Sequence, residues 1–296
     1  MNTSAEVVSA GDITISPSNN NSPLHIQGSN VVYDNVTLEG GGYIVFDVSS
    51  TFTSTSFTNN NGNTPSAAGY DIVIKGKDGT PGRDGDTGAP QQQAAKGSDA
   101  QCYASTSCEH YGKNGKDGQV GNSGTRGEDG HNDAEDAPLV TLNIGVLYGS
   151  LTLLNVGGAG GAGGAGGTGG VGQQGGNGGS SKQCGGAYCH GGDGGNGGDG
   201  GSPGDGGNGA DGANGSVVTV YYTPTDKNNI EQVIPTCLAA SGGKGGGSAV
   251  GGGGGEGGNG GGGGGRGNPG QRNTITSIVG VDGMPGSKGS VSIHRQ

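Results

Sequence analysis

Gly157-Gly158-Ala159-Gly160-Gly161-Ala162-Gly163-Gly164-Ala165-Gly166-Gly167-Thr168-Gly169 constrains the architecture of this chain more than any other segment, and its glycine register runs on through Gly172, Gly175 and Gly178. Glycine recurs every third residue, a period that fits neither an α-helix at 3.6 nor a strand at 2. It fits the left-handed polyproline-II helix, with three residues per turn and about 3.1 Å rise. One glycine per turn leaves one face of such a helix bare, and a G-G-X triplet leaves two. A helix with two bare faces can lie against backbones on both sides, so these residues predict a packed bundle of polyglycine-II helices. Eight triplets would extend about 75 Å.

The same register recurs in Gly76–Gly88, Gly112–Gly130, Gly192–Gly207 and Gly280–Gly289. The tracts 76–88, 112–130 and 280–289 read G-X-Y and are expected on the outside. The G-G-X tracts 157–179 and 191–207 are expected inside. The run Gly251–Gly265, almost without side chains, is expected to be the most enclosed. Collagen is excluded by composition, because a triple helix needs proline at about 15–20% and this chain of 296 residues has 11 prolines. With little apolar area to bury, cohesion must come from backbone hydrogen bonds between neighbouring tracts, each contributing about 1 kcal/mol net.

Of the 77 glycines only six fall in residues 1–68, and all three phenylalanines (Phe46, Phe52, Phe57) lie there. The composition therefore divides the chain into an N-terminal β-rich attachment or assembly domain, 1–68, and a glycine-rich bundle with recognition loops, 69–296. Segments His25–Gln27, Asn30–Tyr33, Asn35–Leu38, Tyr43–Phe46 and Thr51–Phe57 read as short strands of a sandwich or short β-solenoid. Further strands are expected at Tyr70–Ile74, Leu139–Val156, Ser216–Tyr221, Ile275–Val279 and Ser290–Ile293, forming a small sheet at one end of the glycine slab. The fold class expected is mostly irregular and β, with essentially no α-helix. One helical turn could fit within Asp226–Cys237 before Pro235 stops it.

A net charge of −11 argues against a nucleic-acid partner. No apolar run approaches the roughly 20 residues that span a bilayer, so no membrane insertion is expected. Met1-Asn2-Thr3-Ser4-Ala5-Glu6 has neither the basic nor the apolar region of a secretory signal. No catalytic motif is present, and the chain is read as a non-enzyme without cofactors.

Two loops look alike: Cys102-x5-Cys108-x-His110 and Cys184-x4-Cys189-His190. Their spacings miss the C-x2-C of a zinc knuckle, so no metal is expected. Disulfides are, either one within each loop or two between the loops. Asp193, Asp199, Asp205 and Asp211 lack the apolar partner position of calcium-binding repeats and read as a solvated acidic face. Asp129, Asp133, Glu135 and Asp136 read as a solvated turn. Tyr103, His110, Tyr111, Tyr188, His190, Tyr221, Tyr222, Arg266 and Arg272 fall in or beside breaks between tracts. Tyrosine and arginine dominate contact hot spots, and function concentrates in loops on stiff scaffolds. These nine residues are the candidate receptor-binding set.

The texture of Gly157–Gly179 and Ser241–Gly267, glycine motifs separated by tyrosine-bearing loops, resembles the tip adhesins of T-even-like phage tail fibres. The resemblance covers roughly residues 69–296. It implies a polyglycine-II sandwich whose distal loops bind a host or cell-surface protein or glycan, an N-terminal domain docked on a fibre or like subunit, and a place outside the cell or on the virion surface. Snow-flea antifreeze protein and mycobacterial glycine-rich repeat proteins have a similar texture. The alternative readings are a structural subunit of an extracellular filament and an ice-binding protein, the latter using the small side chains Ala159, Ala162, Ala165 and Thr168.

Overall fold

The computed structural model describes residues 7–62, 64–103, 107–225 and 232–296. The opening hexapeptide and the first half of the expected helical turn, 226–231, lie outside them. Among the described residues there are sixteen strands: β1 (Val7–Ala10), β2 (Ile13–Ile15), β3 (Leu24–Ile26), β4 (Asn30–Glu39), β5 (Ile44–Phe46), β6 (Ser50–Asn60), β7 (Ile72–Lys75), β8 (Gln101–Tyr103), β9 (Ser107–His110), β10 (Val140–Tyr148), β11 (Leu151–Val156), β12 (Lys182–Cys184), β13 (Ala187–Cys189), β14 (Val217–Pro224), β15 (Val233–Cys237) and β16 (Ser290–Arg295). The described residues hold no α-helix, only a 3-10 turn at Pro17–Asn19.

The chain winds as a coil. Each turn gives one strand to a seven-stranded sheet, ordered β1-β4-β6-β10-β14-β16 with β2 on β4, and one to a five-stranded sheet, ordered β15-β11-β7-β5-β3. All pairings within these two sheets are parallel. Alternation explains the packing. In β6, Phe52 and Phe57 point inward while Thr51 and Thr53 stay half-buried. In β10, Val140, Leu142 and Ile144 do the same. A single apolar cluster joins Phe46, Phe52 and Phe57 to Leu142, Leu153, Val220 and Tyr222. Each fully buried side chain of this size contributes about 1.5–3 kcal/mol. The compositional boundary near residue 68 is therefore not a break in the core. β10, β14 and β16 extend the sheet begun by β4 and β6.

From the third turn onward, each turn extrudes a long glycine hairpin. β7 leads into tract 76–100, which returns as 112–137 to β10. β11 leads into 157–180, which returns as 191–215 to β14. The segment after β15 leads into 240–261, which returns as 264–289 to β16. The tracts carry neither helix nor strand, but the hydrogen-bond ladder passes into them without interruption. In the outgoing layer Gly79 donates to the Ala159 carbonyl and Gly160 to the Ser241 carbonyl; in the returning layer Gly115 donates to Asp193 and Gly194 to Gly265. Between layers, one column links Gly246 to Gly207, Gly207 to Gly164, Gly164 to Glu128 and Glu128 to Arg83, all at 2.7–2.9 Å. Tracts 157–180 and 191–215 each bond to four others, 112–137 and 240–261 to three, and 76–100 and 264–289 to two. The paired glycines of a G-G-X triplet face different neighbours. A Cβ on Gly160 would come within 3.0 Å of the Ala210 carbonyl oxygen, and one on Gly161 within 3.0 Å of that of Thr80.

Three expectations need correction. The run Gly251–Gly265 is not the most enclosed, because the third hairpin turns within it and leaves Gly262 and Gly263 exposed. Ile275–Val279 forms no strand; it belongs to tract 264–289, with a single isolated bridge from Val250 to Thr276. Within the expected helical turn, Val233–Cys237 is a strand at the edge of its sheet, where Pro235 lacks only an outward N–H.

The recurring acids are exposed, as a solvated face is, but most of them also hold neighbouring backbone. In the triplets most glycine N–H groups take backbone carbonyls, and an N–H at a non-glycine position is left over. At many positions a neighbouring Asp or Asn side chain accepts it. Asp84 takes Ala165 N–H at 2.7 Å, Asp129 takes Asn208 N–H at 2.6 Å, and Asp136 takes Asn214 N–H at 2.7 Å. Asp199 takes Gln271 N–H at 2.7 Å, Asp205 takes Ile278 N–H at 2.8 Å, and Asp211 takes Met284 N–H at 2.7 Å. Asn196, Asn208 and Asn214 fill intervening positions with their amide oxygens. A row of side chains thus stitches each returning tract to the next.

These contacts lower several carboxyl pKa values. Asp99 is brought to about 2, first by the Lys96 ammonium and then by the Ser180 N–H. Asp129 is lowered first by the Asn208 N–H and then by Arg126, Asp133 by the Thr80 N–H and hydroxyl, and Asp282 by the Gly245 N–H and then Lys244. A carboxylate whose folded pKa is depressed stabilises the fold above its unfolded pKa of about 3.9, and that stability is lost as pH falls through the folded value. The melting temperature should therefore hold between pH 7 and 5 and fall between about pH 4 and 2, as read by calorimetry. Asp129→Asn, which keeps the acceptor oxygen, should flatten that fall.

Candidate functional site: the cross-linked hairpin tips

At the far end of the slab from the sheets, the first hairpin closes with the antiparallel pair β8–β9 and the second with β12–β13. Disulfides Cys102–Cys184 and Cys108–Cys189 join the two tips, each with Cα atoms 5.5 Å apart. The bridges run between loops, and the one-per-loop alternative is wrong. Cys184 and Cys189 are buried with Ala100 in a small apolar cluster of their own. The Cys108, Cys184 and Cys189 sulfurs converge, but as disulfide sulfurs they offer no thiolate to a metal. Cys237 is free and sits far away in β15, where burial raises its thiol pKa.

Around this cross-link the aromatic side chains point outward. Tyr103 is 66% exposed, Tyr111 62% and Tyr188 47%. The His190 ring lies stacked 6.5 Å from that of Tyr111 and edge-on 5.1 Å from that of Tyr188. The turn of the third hairpin tucks against the same group. Gly191 N–H donates to the Gly262 carbonyl at 2.7 Å, and a Cβ on Gly263, at φ +82°, would lie within 3.0 Å of His190 Nδ1. His110, exposed at the end of β9, pairs in register with Gln101. The assembly offers exposed phenol and imidazole groups on a cross-linked base, suited to stacking and hydrogen bonding.

The remaining candidates separate from this group. Arg266 sits on the returning tract just past the third turn and pairs with Glu256 at 2.8 Å. Arg272 lies farther along that tract and is exposed. Tyr221 and Tyr222 belong to β14, at the opposite end of the slab, which corrects their placement in a recognition loop. Tyr222 is 1% exposed and its hydroxyl accepts from Arg295 Nε at 3.1 Å; Tyr221 stacks on His294 at 4.8 Å. Alternation could have shown this, since Val218, Val220 and Tyr222 share the inward face of β14. The part played by Gly262 and Gly263 had no sequence signal, because a turn inside continuous glycine leaves the triplet register intact.

No protein-family model matches this chain, and no curated protein matches it. Among solved structures, a springtail antifreeze protein from Granisotoma rainieri, described as a nine polyproline type II helical bundle, aligns with 74% of this chain and 94% of its own at 17% identity, with a TM-score of 0.09. No helix among the described residues is long and apolar enough to cross a membrane. The two disulfides suit an oxidising, non-cytoplasmic compartment.

Proposed function

We propose that the chain is a non-enzymatic, receptor-binding adhesin of the phage tail-fibre tip kind. On this reading the six tracts are polyglycine-II helices forming a stiff slab, and the cross-linked tips meet a host-surface protein or glycan outside the cell. The register of every-third-residue hydrogen bonds supports the helix assignment. The observation that carries the function is the cluster of Tyr103, Tyr111, Tyr188 and His190, exposed at the slab's end yet fixed by two disulfides. Exposed aromatic groups held rigid lose little entropy on binding, which favours affinity.

The test is binding of the purified chain to a panel of intact bacteria. Tyr111→Ala with Tyr188→Ala should weaken binding to a responsive strain by tenfold or more, because central aromatic anchors contribute about 2 kcal/mol or more each. Tyr221→Ala, at the other end, should leave it unchanged. Equal binding by all three proteins would remove the tip from recognition.

A further inference from the structure

The stitching of one returning tract to the next stops at 264–289. Asn114, Asp117, Asp129 and Asp136 clamp the second returning tract, and Asp199, Asp205, Asn208 and Asp211 clamp the third. Of the positions of the third tract whose N–H groups receive the last clamps, three in its second half are Ile278, Val281 and Met284. With Ile275 they recur every third residue, so they line one face of the tract. They are 72%, 70%, 65% and 61% exposed. Val279 and Val250, both more than half exposed, widen the strip.

We propose that this outer edge of the third hairpin is a self-association surface, covered by the same edge of a second copy of the chain. Its charge pattern favours that occupant. In a chain of net charge −11, residues 273–284 carry a single charge, Asp282, and Lys244 pairs with it at 2.9 Å. The opposite edge, tracts 76–100 and 112–137, is studded with Asp84, Lys96, Lys116, Arg126 and their neighbours. An isologous contact sets residue i of one copy against residue j of the other and j against i, so a strip without net charge meets its copy without repulsion. Six side chains of this size, each more than half exposed, present on the order of 600 Å² of surface. Two copies would bury at most about 1,200 Å², the lower limit of a standard stable interface, and the strip stands at the upper end of the about 300–600 Å² that the largest patch of a monomer spans. An anionic lipid surface would repel so acidic a chain.

Sedimentation equilibrium of the full chain should give about twice the 28.3 kDa chain mass. Ile278→Asp with Val281→Asp should weaken the dimer at least tenfold, while Arg83→Ala on the opposite edge should leave it unchanged. A second measurement avoids dependence on how the double variant folds. Ile275→Cys, Ile278→Cys and Val281→Cys are each made in a Cys237→Ser background, and at least one of them, the position nearest the two-fold axis, should form an interchain disulfide on mild oxidation. A wild-type chain that stays monomeric up to about 100 μM, a double variant with undiminished self-affinity, or failure of the interchain cross-link to form at any of these positions would each overturn the proposal. So would a monomer that floats with phosphatidylcholine vesicles. Loss of cell binding by the tyrosine variants is independent of all these results.

Discussion

Gly166→Ala is expected to lower stability by about 3 kcal/mol or more, the cost of inserting a methyl group where nothing can yield. Its Cβ would fall within 3.0 Å of the Gly204 carbonyl group, which is backbone on both sides of the clash. The tract could yield only by opening the column of bonds around it, including Gly166 N–H to the Gly247 carbonyl and Gly204 N–H to that of Gly167. Those bonds hold a region with little apolar burial in reserve, so each one lost counts. Gly253→Ala is the matched control. It lies in the same slab and also in a G-G-X tract, but a Cβ there would meet nothing within 4 Å. With a compatible backbone, alanine should raise stability by about 0.4–1 kcal/mol by narrowing the unfolded ensemble. Calorimetry should show the first variant melting well below wild type and the second at or above it. Equal melting of the two would mean that the tracts are not packed backbone to backbone.

That contrast also marks what the sequence could reveal. Which glycines face a neighbour follows from a period of three, and the sorting of G-G-X tracts inside and G-X-Y tracts outside agrees with the hydrogen-bond partners of 157–180 and 191–215. The inward face of the strands follows from a period of two. Other features depend on which backbone groups remain unpaired, and that is settled only when tracts meet. Asp205 reads as a solvated acid until the leftover N–H of Ile278 is placed beside it. Ile275, Ile278 and Val279 read as a strand because their β-branching is a local property, whereas the partner tract that holds them in triplet register is about 70 residues away. The site divides the same way. Tyr111, Tyr188 and His190 flank the cysteines in sequence and stay with them in space. Tyr222 was separated from them by an alternation that its neighbour Tyr221 disguised.

Near-equal loop spacings could not choose between disulfides within loops and between them, and the choice has a large consequence. A bridge within a loop would close about five residues and constrain little. Cys102–Cys184 and Cys108–Cys189 span sequence separations of 82 and 81. In the chain-entropy account, the first such closure stabilises by about 4.5 kcal/mol. Once it exists, the second closes a circuit of only about a dozen residues, contributing about 3 kcal/mol. Removing either bridge alone should therefore cost about 3 kcal/mol or less, and removing both should cost more than twice as much. This departure from additivity is built into the crossed arrangement. The expected readout is a modest fall in melting temperature for Cys102→Ala with Cys184→Ala, the same for Cys108→Ala with Cys189→Ala, and a much larger fall for all four. A four-cysteine variant that melts like wild type would show that backbone bonding alone holds the slab. The bridges would then serve only to fix the angles of Tyr111, Tyr188 and His190, and the loss would appear in cell binding instead.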